Sequence, residues 1–167
     1  DYTALSGTLT ILAGATVGTI SVSASSDTIY EGTEKFNLNF NVPSTLKLSG
    51  LNHEVTITDA NTMPTVSFQS STSTVAENVG GGVKAITAVL SGAAKNNVTV
   101  QYALGTGSTA TTPADFTSAS GTLTFAGAAA GGETSKSFNL TIVDDAVSES
   151  DETVVLDLSS PSNATLD

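Results

Sequence analysis

The chain has no cysteine, no tryptophan and a single histidine, and it carries only five Lys plus Arg against sixteen Asp plus Glu. Without cysteine there can be no disulfide framework, zinc–thiolate site or thiol nucleophile. His53 stands beside Glu54 with no partner suggested for a catalytic triad or a histidine-metal cluster, so it is predicted to be a surface residue at a strand start. Paired carboxylates can serve a glycosidase, but that chemistry needs a cleft lined with stacking aromatics. Here nine Phe plus Tyr are all there is, and Phe36, Phe40, Phe68, Phe125 and Phe138 fall on core-patterned positions. No enzyme is expected. A formal charge of −11 would repel nucleic acid and anionic membranes and attract cations. No run approaches eighteen apolar residues and no charged segment precedes an apolar one, so neither a transmembrane helix nor a signal peptide is predicted within these 167 residues.

What the chain does have is a hydrophobic period of two. Phe138, Leu140 and Ile142 alternate with Asn139 and Thr141; Val154, Leu156 and Leu158 alternate with Val155 and Asp157. This is the pattern of half-buried antiparallel strands. Further strands are predicted at 65–68, 83–90, 98–104 and 121–125, each bounded by Gly, Ser, Asn or Pro clusters. The Ala-rich run 126–130, flanked by glycine, has no apolar face and is predicted to be a turn, as is Gly80-Gly81-Gly82, which lacks the Lys-Ser/Thr of a phosphate loop.

The chain also repeats itself. Asp1-Tyr2-Thr3-Ala4-Leu5-Ser6-Gly7-Thr8-Leu9-Thr10-Ile11 returns 114 residues later as Asp115-Phe116-Thr117-Ser118-Ala119-Ser120-Gly121-Thr122-Leu123-Thr124-Phe125. After an insertion of four residues the offset is 118, and Asp27, Glu31, Glu34, Phe36, Leu38, Phe40 and Pro43 match Asp145, Glu149, Glu152, Val154, Leu156, Leu158 and Pro161. The chain therefore reads as about one and a half copies of a module. Residues 1–61 are the C-terminal part of a first copy, and residues 62–167 are a second copy expected to lack its last strand. The boundary is set near Asn61-Thr62-Met63-Pro64, where Pro64 disfavours helix at Met63.

The scarce charges are concentrated. Asp144 to Glu152 reads DDAVSESDE, five carboxylates in nine residues, in a chain that is 13% charged. An isolated acidic run is usually a solvated loop that keeps strand edges apart. Such a loop needs charge but no fixed spacing, whereas Asp27-x3-Glu31-x2-Glu34 and Asp145-x3-Glu149-x2-Glu152 keep theirs while their neighbours diverge. Converging carboxylates repel unless a cation joins them. An all-oxygen ligand set without Cys, and with one His, suits Ca²⁺, which takes 6–8 oxygens in flexible geometry, better than Mg²⁺ with its tight octahedron.

In order and spacing, these segments resemble the Calx-β module of sodium/calcium exchangers, an integrin subunit and large bacterial surface proteins. The residues that carry the likeness are Thr65-Val66-Ser67-Phe68, Val75-Ala76-Glu77, Asp115-Phe116 with Gly121-Thr122-Leu123-Thr124-Phe125, the Asp144-Asp145…Glu149…Glu152 loop, and Val55-Thr56-Ile57-Thr58-Asp59 closing the first copy. The resemblance covers the whole chain. It implies an all-β fold, a tandem of immunoglobulin-like antiparallel β-sandwiches, with Ca²⁺ held by loops at one end of each. By position it implies metal ligands Glu77, Asp115, Asp144, Asp145, Glu149 and Glu152 in the second copy. In the first it implies Asp1, Asp27, Glu31, Glu34 and Asp59, with Asn61 a further candidate. Ser26 stands where the second copy has Asp144, and weaker binding or fewer ions are expected there. Asp151 and Asp157 alternate away from these positions and are expected to be solvated.

On this reading the chain is a calcium-binding structural or adhesive repeat of a longer extracellular, bacterial surface protein or filament, with Ca²⁺ stiffening the module junctions. The alternative is a regulatory Ca²⁺ sensor. Neighbouring modules or chain copies are expected to supply the missing strands, because a half-sandwich leaves Leu9, Ile11, Ile20, Val22, Phe36, Leu38 and Phe40 without a facing sheet.

Overall fold

A computed structural model describes residues 1–42, 49–50, 52–79, 82–117 and 120–167, and at Ala130 the backbone only. Pro43, Gly80, Gly81, Ser118 and Ala119, which entered the repeat and turn assignments, lie outside the described residues. The chain divides into two units: 1–28 with 32–60, and 29–31 with 61–167.

In the second unit the alternating segments form strands as their period requires. They are β4 (Thr65–Phe68), β5 (Val83–Leu90), β6 (Ala93–Ala94), β7 (Val98–Leu104), β8 (Phe116–Thr117), β9 (Gly121–Phe125), β10 (Ser135–Ile142), β11 (Leu156–Ser162) and β12 (Thr165–Leu166). The short β1 (Ile29–Tyr30) pairs in parallel with β6, and the Lys95 N–H donates to the Tyr30 carbonyl at 2.8 Å. One sheet runs β12-β4-β5-β10-β8 and the other β11-β7-β9. All pairings are antiparallel except β1–β6, a two-stranded sheet of its own, and β12–β4, which adds a two-residue strand to the edge of the five-stranded sheet. The predicted strands at 65–68, 83–90, 98–104 and 121–125 form with those bounds. The alternation at Val154 is extended chain without strand pairing, and β11 starts at Leu156.

One face of each sheet turns inward. Val66, Ala88, Val98, Val100, Phe116 and Phe125 are essentially sealed from solvent, and Phe138 stacks on Tyr102 with ring centroids 3.7 Å apart. No buried polar or charged side chain interrupts this core among the described residues. The run after β9 is a single 3-10 turn (Ala128–Ala130), closed by Gly131 at φ +109°, a left-handed conformation that glycine adopts without strain.

The first unit holds β2 (Glu34–Asn39) and β3 (Asn52–Ile57), paired antiparallel from Glu34↔Ile57 to Asn39↔Asn52. A bridge joins Tyr2 to Ala24, and Tyr2 stacks on Phe36 at 4.0 Å. None of its described residues is buried. Tyr2 is 39% exposed where its repeat counterpart Phe116 is 1% exposed, because Phe116 has a second sheet over it. Leu9, Ile11 and Ile20 are exposed for the same reason. Phe40, which its pattern placed in a core, is 37% exposed, whereas Phe125 and Phe138 are buried and Phe36 and Phe68 half-buried. Alternation selects a face of a strand; burial also needs something to cover that face.

Candidate metal centre

Asp115 sits just before β8, at the end of a loop that closes on its own carboxylate. Its Oδ2 accepts hydrogen bonds from the Thr111 N–H at 2.6 Å and the Thr111 hydroxyl at 3.0 Å. A short polar side chain that binds nearby backbone in this way holds a turn in shape. The sequence reading missed Thr111; its only signal was a Thr four residues before Asp115, next to Thr112-Pro113. The acidic loop after β10 approaches from the other side. Within it the Asp145 Oδ1 accepts from the Val147 N–H at 2.6 Å, and the Asp145 N–H donates to the Glu77 Oε1 at 3.3 Å. Glu77, 68 residues earlier, is thereby brought to this loop.

Asp115, Glu149 and Glu152 each present a carboxylate oxygen, and these oxygens lie within 4.8 Å of one another. Partial desolvation raises the Glu149 carboxyl above its ordinary value of 4.5, and the charges of Asp115, Asp145 and Glu77 add to this. Desolvation also raises Glu152, followed by its hydrogen bond to Asp115 and the Asp115 and Glu149 charges. Asp115 itself is lowered from 3.8, mainly by the Thr111 backbone N–H, against a smaller opposing desolvation. Among the described residues no lysine pairs with Asp115, Glu149 or Glu152. Mutual repulsion is therefore relieved by holding a proton, or by a cation in its place. An all-oxygen cluster of this charge, on exposed loops that can adjust, fits Ca²⁺. Asp144 is exposed next to Asp145 and is not one of the three converging groups; Asp151 is exposed.

In the first unit, carboxylate oxygens of Asp1 and Glu34 lie within 4.8 Å. The Asp59 Oδ2 accepts from the Gly32 N–H at 2.9 Å, bringing a residue two past the end of β3 to the segment before β2. Asp27 is exposed in the segment ahead of β1. Glu31 belongs to the second unit, its Oε1 3.2 Å from the Lys95 Nζ.

The Calx-beta domain profile matches residues 1–61 and again residues 59–166. The chain belongs to the Calx-beta domain family. The crystal structure of the apo form of the Calx CBD1 domain is similar to this Calx-beta chain at 29% identity and a TM-score of 0.53, over 60% of this chain and 83% of that one. The calcium binding domain CBD12 of CALX1.1 is similar at 30% identity and a TM-score of 0.51, over 58% of this chain and 38% of that one. CBD12 from CALX1.2 is similar at 25% identity and a TM-score of 0.51, over 84% of this chain and 53% of that one. This Calx-beta chain thus spans about half or less of the two CBD12 structures. No curated protein matches it by sequence.

Proposed function

We propose that this chain is a calcium-binding structural repeat of an extracellular surface protein or filament, in which Ca²⁺ stiffens the connection between successive modules. The observation that carries the calcium reading is the convergence of Asp115, Glu149 and Glu152 without a neutralising lysine. Glu77, Asp145 and Asp144 are the further oxygen donors of this reading, with Glu77 and Asp145 near enough for their charges to act on Glu149. Asp1, Asp27, Glu31, Glu34 and Asp59 are the corresponding donors of the first copy. A bound divalent cation supplies charge neutralisation. The chain's own part is to hold these oxygens in reach, with Thr111 and the Val147 N–H orienting two of the carboxylates. Binding here is structural, and no catalytic step is assigned to any residue.

The stiffening role rests on the short connection. Asn61-Thr62-Met63-Pro64 spans at most about 14 Å when extended, too little for free tumbling, and the Asp59 ligand position lies immediately before it. Small-angle scattering on an array of several complete modules tests the role: the maximum dimension should shrink or broaden in chelator, and an unchanged profile with folding intact would leave calcium as a local stabiliser only.

A regulatory sensor is the second reading, favoured by the similarity to the calcium binding domain CBD12 of CALX1.1. Calorimetric titration separates the two. Extracellular modules bind at about 10⁻⁴–10⁻³ M and sensors at about 10⁻⁷–10⁻⁵ M.

A further inference from the structure

Strand β5 has a partner along its length on one side and along only part of it on the other. Toward β10 it pairs from Val83 to Val89. Toward β4 it pairs only at Ala88, Val89 and Leu90, and the last main-chain bond on that side runs from the Gln69 N–H to the Thr87 carbonyl at 2.9 Å. Residues 70–76 are exposed and form no strand, so they do not continue the ladder. Main-chain groups alternate sides along a strand, and those of Val83, Ala85 and Thr87 fall on the β4 side. Among the described residues nothing accepts from the Ala85 and Thr87 N–H groups, and nothing donates to the Ala85 carbonyl. The gap is a groove of ≈ 170 Å³ with Gln69, Ser70 and Ser73 on one wall and residues 84–87 on the other.

One side chain bridges the two walls. Lys84 is half-buried, and its Nζ donates to the Thr74 carbonyl at 3.0 Å, tying β5 to the segment that has left it. A lysine on an open strand guards it, because an arriving strand must displace the amine and strip water from its charge.

We propose that residues 83–87 are a self-pairing edge for a second copy of this chain, kept closed by the contact of Lys84 with Thr74. The stretch is self-complementary. Set antiparallel about a two-fold axis at Ala85, each Ala85 exchanges its N–H and carbonyl with its counterpart, and each Thr87 N–H meets the Val83 carbonyl of the other copy. The chemistry of the groove selects this occupant: none of its lining residues is acidic, so two chains of charge −11, which repel elsewhere, meet here without facing carboxylates. Ala85 and Thr87 are small enough for the backbones to approach. Once Thr74 is released, the exposed segment 70–76 can leave the groove, and two five-stranded sheets join edge to edge. No metal ion takes part.

The test uses the full chain in chelator, by sedimentation velocity over a concentration series and by hydrogen exchange resolved to single residues. In dilute wild-type chain the Ala85 and Thr87 amides should exchange fast. Lys84→Met should add a concentration-dependent dimer and slow exchange at Ala85 and Thr87 on the order of tenfold or more. Lys84→Arg keeps charge and reach and should behave as the wild type, and so should Lys35→Met, which removes a lysine from the first unit. Adding Ala85→Pro to Lys84→Met deletes the donor at the axis without costing an internal bond, and should abolish the dimer. Lys84→Gln takes the place of the Met variant if that one fails to fold. Neutral Lys84 variants that associate no more than the wild type overturn the proposal. So does a dimer that survives Ala85→Pro, or slow exchange at Ala85 in dilute wild-type chain, where the edge would already be covered.

Discussion

Carboxylate oxygens of Asp115 and Glu152 lie within 4.8 Å of each other; Glu152 is raised by desolvation and then by its hydrogen bond to Asp115, while Asp115 is lowered, first by the Thr111 N–H. Two carboxylates that share a proton titrate as a pair. A cation at this place competes with a proton for the same oxygens.

Calcium binding is therefore expected to release protons at mildly acidic pH and to weaken as pH falls. Calorimetry in two buffers of different ionisation enthalpy measures the release directly. Proton release should grow as pH is lowered from neutrality into the range where Glu149 and Glu152, both raised above 4.5, become protonated in the free protein. A binding enthalpy independent of buffer across that range would contradict a site at these residues.

In chelator, stability should respond to pH in two opposing ways. Glu149 and Glu152 are raised, so the stability they contribute is full below their unfolded value of 4.5 and is lost as pH rises through their folded values. Asp115 and Glu133 are lowered from 3.8 and 4.5, Glu133 first by the Ala126 N–H and then by Lys136. Their contribution is present above those values and is lost as pH falls through the folded ones. The melting temperature in chelator should rise as pH falls from neutrality through the folded values of Glu149 and Glu152 and should fall on stronger acidification, a maximum that saturating calcium removes. Scanning calorimetry across pH, with and without calcium, checks it.

An ion present at ten times its dissociation constant adds about 1.4 kcal/mol per independent site. Glu152→Ala and Asp145→Ala should each abolish most of that increment, because one removes a converging oxygen and the other the carboxylate that turns the loop at Val147. Asp151→Ala should leave it nearly intact. Equal losses from all three, read as the calcium-induced change in melting temperature, would return the loop to a purely solubilising role.

Packing should be unequal between the two units. Phe125→Ala removes a sealed core side chain and is expected to cost about 3–5 kcal/mol, while Leu9→Ala, at a site 39% exposed, should cost less than about 1 kcal/mol. Gly127→Ala should destabilise by about 1–3 kcal/mol, since an added methyl would collide with the Lys95 carbonyl oxygen and the Asn96 backbone. Urea denaturation of each variant supplies the comparison.

Much of the second unit was readable before any coordinate, because a period of two is a local property: each of Val98, Val100, Leu123 and Phe125 needs only its neighbours to declare a face. The fixed spacing of Asp145, Glu149 and Glu152 was local too, and so was the copy of it at Asp27, Glu31 and Glu34. Convergence is not local. Which acids meet depends on the path of separate loops: Asp115 reaches Glu149 and Glu152 because Thr111 closes its turn, Asp144 is not among the converging groups although it is adjacent to Asp145, and Glu31 is held by Lys95. Burial has the same dependence. Tyr2 and Phe116 occupy one position of the repeat, which the sequence by itself showed; only the presence of a second sheet sealed Phe116 and left Tyr2 open, since a side chain leaves water when another surface comes to cover it.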